Sequence, residues 1–221
     1  RFSPRPAADA SLFEREGPPQ LTERLLTVIL EAATLSDMAY GDTVPEVAAK
    51  MNETGIFDLE VSHPNYDSLT FYSNEPDMGV VASKGGMCYG AFRGTVPSSL
   101  VDWGQNFDLT VRRVYPLTDE AQSGYEYCTV RAGFADFLDY DSSSRAMAKI
   151  VECAASCVDP DECVVITGHS QGGANAVVAS IVASRLNPIV VTFGQPPAVL
   201  GDCDLIPADG TFRFVNYIEA E

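Results

Sequence analysis

The stretch that most constrains this chain runs from Cys163 to Arg185. Cys163-Val164-Val165-Ile166-Thr167 is a nearly unbroken apolar run, which is what a strand buried on both faces of a parallel sheet requires. Gly168 to Gly173 reads as a turn, and Ala174 to Arg185 as a helix of small residues. The turn contains Gly168-His169-Ser170-Gln171-Gly172, a G-x-S-x-G pattern. With a strand before it and a helix after it, the pattern describes a nucleophile elbow, where a serine in strained dihedrals projects its hydroxyl from the sheet. Glycine is needed on both sides because a Cβ would strike the neighbouring strand or helix. The following helix offers N–H groups and the positive end of its dipole to a developing oxyanion. An ordinary glycine-rich turn is the bland alternative.

The remaining pattern fits an α/β chain. Leu21 to Tyr40 carries Leu21, Leu25, Val28, Ile29, Ala32 and Ala33 at helical spacing, ended by Gly41. Val44 to Asn52 is a second helix with Pro45 in its first turn. Leu69–Ser73, Gly79–Ser83 and Met87–Phe92 read as strands, the last two joined by a turn at Lys84-Gly85-Gly86. Leu109 to Val114 alternates as an edge strand does, and Phe134 to Cys157 reads as one long helix with Phe134, Phe137, Leu138, Met147, Ile150 and Val151 inward. Ile189–Phe193 and Phe212–Tyr217 are further strands. Strands alternating with helices imply a mostly parallel central sheet flanked by helices. At 221 residues the chain is expected to be one domain, 21–221, preceded by an N-terminal arm over 1–20.

Charge and cysteines narrow the partners. Fourteen basic against 31 acidic residues leave −17, which cannot neutralise a phosphate backbone, so nucleic acid is excluded as a natural partner. No apolar run is long enough to span a bilayer, so no transmembrane segment is expected. Cys88, Cys128, Cys153, Cys157, Cys163 and Cys203 contain no CxxC pair, which argues against zinc; no metal or other cofactor is expected. Six cysteines fit either three disulfides in an oxidising compartment or six reduced thiols. If they are oxidised, pairing should involve Cys153, Cys157 or Cys163, with a distant partner such as Cys128 or Cys203. With the non-Met start, oxidation would place the protein outside the cell or in the secretory lumen.

Several ordered segments together resemble the class 3, or fungal-type, lipase family of α/β hydrolases. Phe92-Arg93-Gly94-Thr95 is similar to the family's F-R-G-[ST] motif. Asp102-Trp103, then Asn106-Phe107-Asp108-Leu109, resembles its tryptophan-containing segment, and Val130-Arg131-Ala132-Gly133-Phe134 its V-H-x-G-F. The elbow extends to Ala174, Val191 to Pro196 resembles T-F-G-x-P-R, and Arg213 to Asn216 resembles the strand leading to the catalytic acid.

The resemblance implies a serine esterase of the α/β-hydrolase fold acting on lipid esters, foremost triacylglycerol, at a lipid–water interface. Ser170 would be the nucleophile, and the N–H groups of Thr95 and Gln171 the oxyanion hole. Arg93 would be structural, through a buried ion pair. Pro97 to Trp103 falls where such enzymes carry a lid, and Trp103 either meets lipid there or packs beneath a short helix. Glu219 best matches the acid position, although Glu219 and Glu221 read equally well as solvated terminal residues. His169 is expected to pack structurally, and His63 precedes Ser170, against the order of the fold's triad. No histidine follows Ser170. The chain as given is therefore expected to be nearly inactive, either as a fragment or as a non-catalytic module binding an acyl ligand or a protein partner.

Overall fold

A computed structural model describes residues 22–74, 77–94, 110–117, 126–139, 141–157, 163–206 and 211–214. The arm over 1–20, Thr95, the segment from Pro97 to Trp103, and Glu219 lie outside these residues. Helix α1 (Glu23–Met38) starts where Thr22 caps it, its hydroxyl accepting from the Leu25 N–H at 3.2 Å, and Glu23 sits in the first turn against the positive dipole end. Helix α2 (Pro45–Glu53) begins at the proline, whose missing N–H is an orphan position in any case.

Four strands follow as a meander: β1 (Ile56–Glu60), β2 (Ser68–Asn74), β3 (Asp77–Lys84) and β4 (Met87–Phe92). A separate ribbon pairs β5 (Val111–Val114) with β6 (Cys128–Arg131). Then come a short helix α3 (Ala132–Ala135), a 3₁₀ turn over Asp136–Asp139, helix α4 (Asp141–Ala154), β7 (Val164–His169), α5 (Gln171–Val182), β8 (Ile189–Phe193) and β9 (Thr211–Phe214). The large sheet has the order β1-β2-β3-β4-β7-β8-β9. The first three pairings are antiparallel and the last three parallel, so five of the seven strands run in one direction, with β1 and β3 opposed.

Helices cover both faces, and the strand sequences alternate to match. Val164 and Ile166 of β7 pack with Met147, Ile150, Val178 and Ile181 from α4 and α5. Val165 turns to the opposite face, into the cluster that holds Val28, Ala32 and Leu35 of α1 and Val47 of α2. All three β7 residues are fully buried, which is why this strand reads as an unbroken apolar run. Each such side chain contributes about 1.5–3 kcal/mol by leaving water. One polar contact crosses the α1 interface: the hydroxyls of Ser36 and Thr167 lie 2.9 Å apart, both buried.

The long helix expected over Phe134–Cys157 is broken. Asp136 to Ser144 is dense in Asp and Ser, which compete with helical backbone bonding. Arg112 of β5 also holds Asp139 at 2.6 and 3.0 Å, fixing the 3₁₀ turn between α3 and α4. Val151, expected inward, is 39 % exposed. Strand β1 was not legible because Phe57 alone in it is buried. The edge character expected for Leu109–Val114 holds over Val111–Val114, with Val111 exposed and Val114 buried. Of the strand expected over Phe212–Tyr217, Thr211–Phe214 is described.

The cysteines form three disulfides, Cys88–Cys153, Cys128–Cys203 and Cys157–Cys163. Pairing involves Cys153, Cys157 and Cys163 as expected, but neither Cys128 nor Cys203 is their partner. Cys88, at the start of β4, is nearer to the end of α4, and Cys128 and Cys203 serve each other across the ribbon. There, Arg131 N–H donates to the Ala198 carbonyl at 2.9 Å and Leu200 N–H to the Thr129 carbonyl at 2.8 Å, beside the Cys128–Cys203 staple.

The Cys128–Cys203 bond closes a sequence separation of 75 residues, so its chain-entropy contribution is large. Replacing both cysteines by alanine is expected to lower stability by roughly 2–4 kcal/mol, read as a fall in the urea midpoint. An unchanged midpoint would show that the backbone bonds alone hold the ribbon.

Candidate active site

Ser170 stands at the C-terminal end of β7, between β4 and β8 at the middle of the sheet. Its dihedrals are φ 56° and ψ −128°, and the other described non-glycine residue at positive φ is Asn187. A side chain in such a sparsely populated region costs on the order of 1–3 kcal/mol, so the surroundings must impose it. They do so from three sides. The Ser170 N–H donates to the Phe193 carbonyl of β8 at 2.8 Å. Its own carbonyl accepts from Gly173 at 3.0 Å and Ala174 at 3.3 Å, which opens α5. The first turn of α5 then presses on the end of β4.

That last contact explains the glycines. A Cβ on Gly172 would overlap the Phe92 carbonyl and stand 2.7 Å from the Arg93 carbonyl carbon and 2.8 Å from the Gly94 nitrogen. A Cβ on Gly168 would overlap the Gly172 carbonyl. Strand, turn and helix are thus folded back on themselves more tightly than any side chain permits. Gln171 is the first residue of α5, where backbone N–H groups face outward along the helix dipole.

Behind the serine lies a polar cluster. Tyr40, just beyond α1, bonds through its hydroxyl to His169 Nδ1 at 2.9 Å. Burial raises the Tyr40 pKa and Asp37 adds to the rise, against the Arg93 charge and a hydrogen bond from the Gly94 N–H. The phenol therefore stays protonated, and one hydrogen bond joins its hydroxyl to His169 Nδ1. Gly94 touches both partners: a Cβ there would lie 2.6 Å from the Tyr40 hydroxyl and the His169 carbonyl, and 3.3 Å from Ser170 Cβ. His169 is itself exposed and held by Tyr40, in contrast to the packed residue expected from the sequence. Tyr40 carried no signal in the sequence beyond ending a helix, because its partner is 129 residues away.

Arg93 is 5 % exposed, and its backbone N–H donates to the Met78 carbonyl at 2.9 Å. Asp77 precedes Met78, and its Oδ2 is buried without a hydrogen-bond partner. Burial pushes the Asp77 carboxyl up to about 6, with the Arg93 charge opposing the rise.

His63 is remote from Ser170. It lies in the loop before β2, whose first residue, Ser68, pairs with Ser83, which pairs with Cys88, which pairs with Val164 at the start of β7. Ser170 is six residues further along, roughly 20 Å at 3.3 Å per residue. A polar cavity of about 390 Å³ lined by Glu60, His63, Tyr66 and Ser68 lies at that distant end and is unconnected with the elbow. The described residues therefore bring together Ser170, Gln171, Gly94, His169, Tyr40 and Arg93, whereas Thr95 and Glu219 fall outside them. Among the described residues, no group of three or more His, Cys, Asp or Glu is placed to hold a metal ion.

Asp77 makes stability depend on pH. Its folded pKa, about 6, lies above the unfolded 3.8, so the folded state binds the proton more tightly. The contribution is full below pH 3.8 and is lost as pH rises through about 6. The difference in unfolding free energy between the natural protein and Asp77→Asn, read from urea titrations, should therefore change between pH 4 and pH 7 by an amount on the order of 2 kcal/mol, to the disadvantage of the natural protein at the higher pH. Parallel pH profiles for the two proteins would show that Asp77 titrates normally.

The fold has known counterparts. A triacylglycerol lipase from Penicillium expansum superimposes with a TM-score of 0.55 at 15 % identity, covering 84 % of this chain and 66 % of its own. The Lip2 lipase from Yarrowia lipolytica gives 0.51 at 19 % identity, covering 80 % and 60 %. A further triacylglycerol lipase, 21 % identical with a TM-score of 0.48, is covered over 64 % of its length by 80 % of this chain. The chain thus spans less than two thirds of the length of these structures, and the first two, at such identities, show the α/β-hydrolase fold alone. No curated protein sequence matches the chain. The family profile described as Lipase (class 3) matches residues 89–206, from β4 through the elbow to the segment beyond β8, which is more than half of the sequence. The strained serine thus sits within the matched region, and the chain belongs to the class 3 lipase family.

Proposed function

We propose that the chain is a serine carboxylic-ester hydrolase acting on lipid esters, with triacylglycerol as its principal substrate class, met at a lipid–water interface. The observation that carries the reading is the strained Ser170 at the C-terminal end of β7, an interior strand of the sheet, within the region matched by the family. Ser170 Oγ attacks the ester carbonyl. The resulting oxyanion is held by the N–H groups of Gln171 and Thr95, the Ser170 proton passes through a general base to the departing alcohol, and water then releases the acyl group. The approach of Gly94 to Ser170 supports the role of Thr95, the next residue along. Glu219 is the proposed acid. Residues 21–221 form the proposed hydrolase domain, with 1–20 as an arm. Three disulfides support a secreted or secretory-lumen protein. No described helix is long and apolar enough to cross a membrane.

The general base is the open position. The chain has two histidines. His169 commits its Nδ1 to Tyr40, and His63 is at the far end of the sheet. A serine hydroxyl without a positioned base is a weak nucleophile. In serine hydrolases, loss of the base lowers turnover by about 10⁶-fold. Residues 1–221 are therefore expected to hydrolyse a short-chain chromogenic ester no faster than their Ser170→Ala variant. Robust turnover abolished by His63→Ala would overturn this assignment.

The nucleophile and oxyanion hole are testable without a base. An alkyl boronic acid adds to the serine oxygen and presents a tetrahedral anion to the same donors. At about 100 times its dissociation constant it should raise the melting temperature by about 5 °C or more. The shift should vanish in Ser170→Ala and weaken in Thr95→Pro, which lacks one donor. An equal shift in Ser170→Ala would place the binding site elsewhere.

A further inference from the structure

Two of the disulfides are adjacent. Cys88 Sγ, bonded to Cys153, lies 3.8 Å from Cys157 Sγ, bonded to Cys163. Neither sulfur carries a proton, so this is sulfur packed against sulfur and not a hydrogen bond. The arrangement follows from the fold. Cys153 is in the last turn of α4, and Cys157 continues that turn, its N–H donating to the Ala154 carbonyl at 3.1 Å. Four residues apart, the two face the same way. Cys88, on β4, stands opposite both. Cys163, immediately before β7, is beside it, its carbonyl accepting from the Cys88 N–H at 2.7 Å. Cys88 and Cys163 are buried, at 2 % and 4 % exposure, whereas Cys153 and Cys157 are half-buried and reachable from solvent.

We propose that these four cysteines form a thiol–disulfide exchange site, for which a low-molecular-weight thiol is the co-reactant and in which Cys88 passes between Cys153 and Cys157. Exchange needs a thiolate in contact with a disulfide sulfur, with a leaving sulfur beyond it. The Cys88–Cys157 contact brings the attacking and attacked sulfurs together in both directions, with Cys153, bonded to Cys88, and Cys163, bonded to Cys157, as the leaving sulfurs. When two equivalents of external thiol open Cys157–Cys163 and depart as their own disulfide, Cys157 and Cys163 are left as thiols. Cys157, as thiolate, attacks Cys88 Sγ. The Cys88–Cys157 bond forms, Cys88–Cys153 breaks, and the electron pair leaves on Cys153, which takes up the proton that Cys157 released. When thiol opens Cys88–Cys153 instead, the Cys88 thiolate attacks Cys157 Sγ and the electron pair leaves on Cys163. Both routes end in the same species: Cys88–Cys157 bonded, with Cys153 and Cys163 free. In that species the end of α4 is still tied to β4, while the entrance to β7 is released.

The test is graded reduction of the folded protein by dithiothreitol, with acid quenching, alkylation of free thiols and mass mapping. Chains that retain Cys128–Cys203 and carry two alkyl groups should bear them on Cys153 and Cys163, with Cys88 and Cys157 linked. Labels found together on Cys157 and Cys163, or on Cys88 and Cys153, and never on Cys153 with Cys163, would overturn the proposal. A Cys163→Ser variant gives an answer without added reductant. Its unpaired thiol should divide between Cys157 and Cys153, whereas a thiol confined to Cys157 would exclude exchange.

Discussion

The contact on which the site depends is the closure of helix α5 onto the end of β4. With hydrogen at Gly168 and Gly172, the chain reverses from strand to helix within three residues and brings backbone against backbone. That approach holds Ser170 in dihedrals it would not otherwise adopt, and it places the first turn of α5 beside Arg93 and Gly94. The strain at Ser170 is offset by the core beneath it. Val164, Val165 and Ile166 are fully buried between helices on both faces, so β7 cannot shift to relax the turn.

A second support is electrostatic. Arg93 is buried at the C-terminal end of β4 and acts on two acidic groups that burial shifts the same way. It opposes the upward shift of Asp77 on one side and of Tyr40 on the other. Tyr40 in turn joins α1 to His169 and receives the Gly94 N–H, so the end of the first helix, the end of β4 and the residue before the nucleophile are linked through one phenol. Both sides of the turn are thus fixed relative to α1.

Much of this was legible in the sequence, and the unreadable parts share a cause. The β7 run, the elbow and the β3–β4 hairpin are local patterns: a strand buried on two faces, glycines at fixed offsets, and Gly85-Gly86 at positive φ. What escaped depends on residues far apart in the chain. The Tyr40–His169 bond spans 129 positions, and Cys88 meets Cys153 only because α4 crosses β4. The break between α3 and α4 was written locally in the Asp and Ser content of Asp136 to Ser144, but the inward periodicity of Phe134 and Phe137 masked it. Thr95 and Glu219 rest on family resemblance, since each lies outside the described residues.

The sheet begins with β1, which has no neighbour on its outer side among the described residues. An open row of backbone donors and acceptors is a template on which another chain can add a strand. β1 is five residues long, so a guest strand would find few bonds. Ile56, Asp58 and Glu60 share one face of it, and Asp58 is engaged by Arg145 of α4. Two of those three side chains are carboxylates, and any guest from a second copy would arrive with a net charge of −17. Shortness and like charge thus both work against the addition of a strand from a second copy at this border of the sheet.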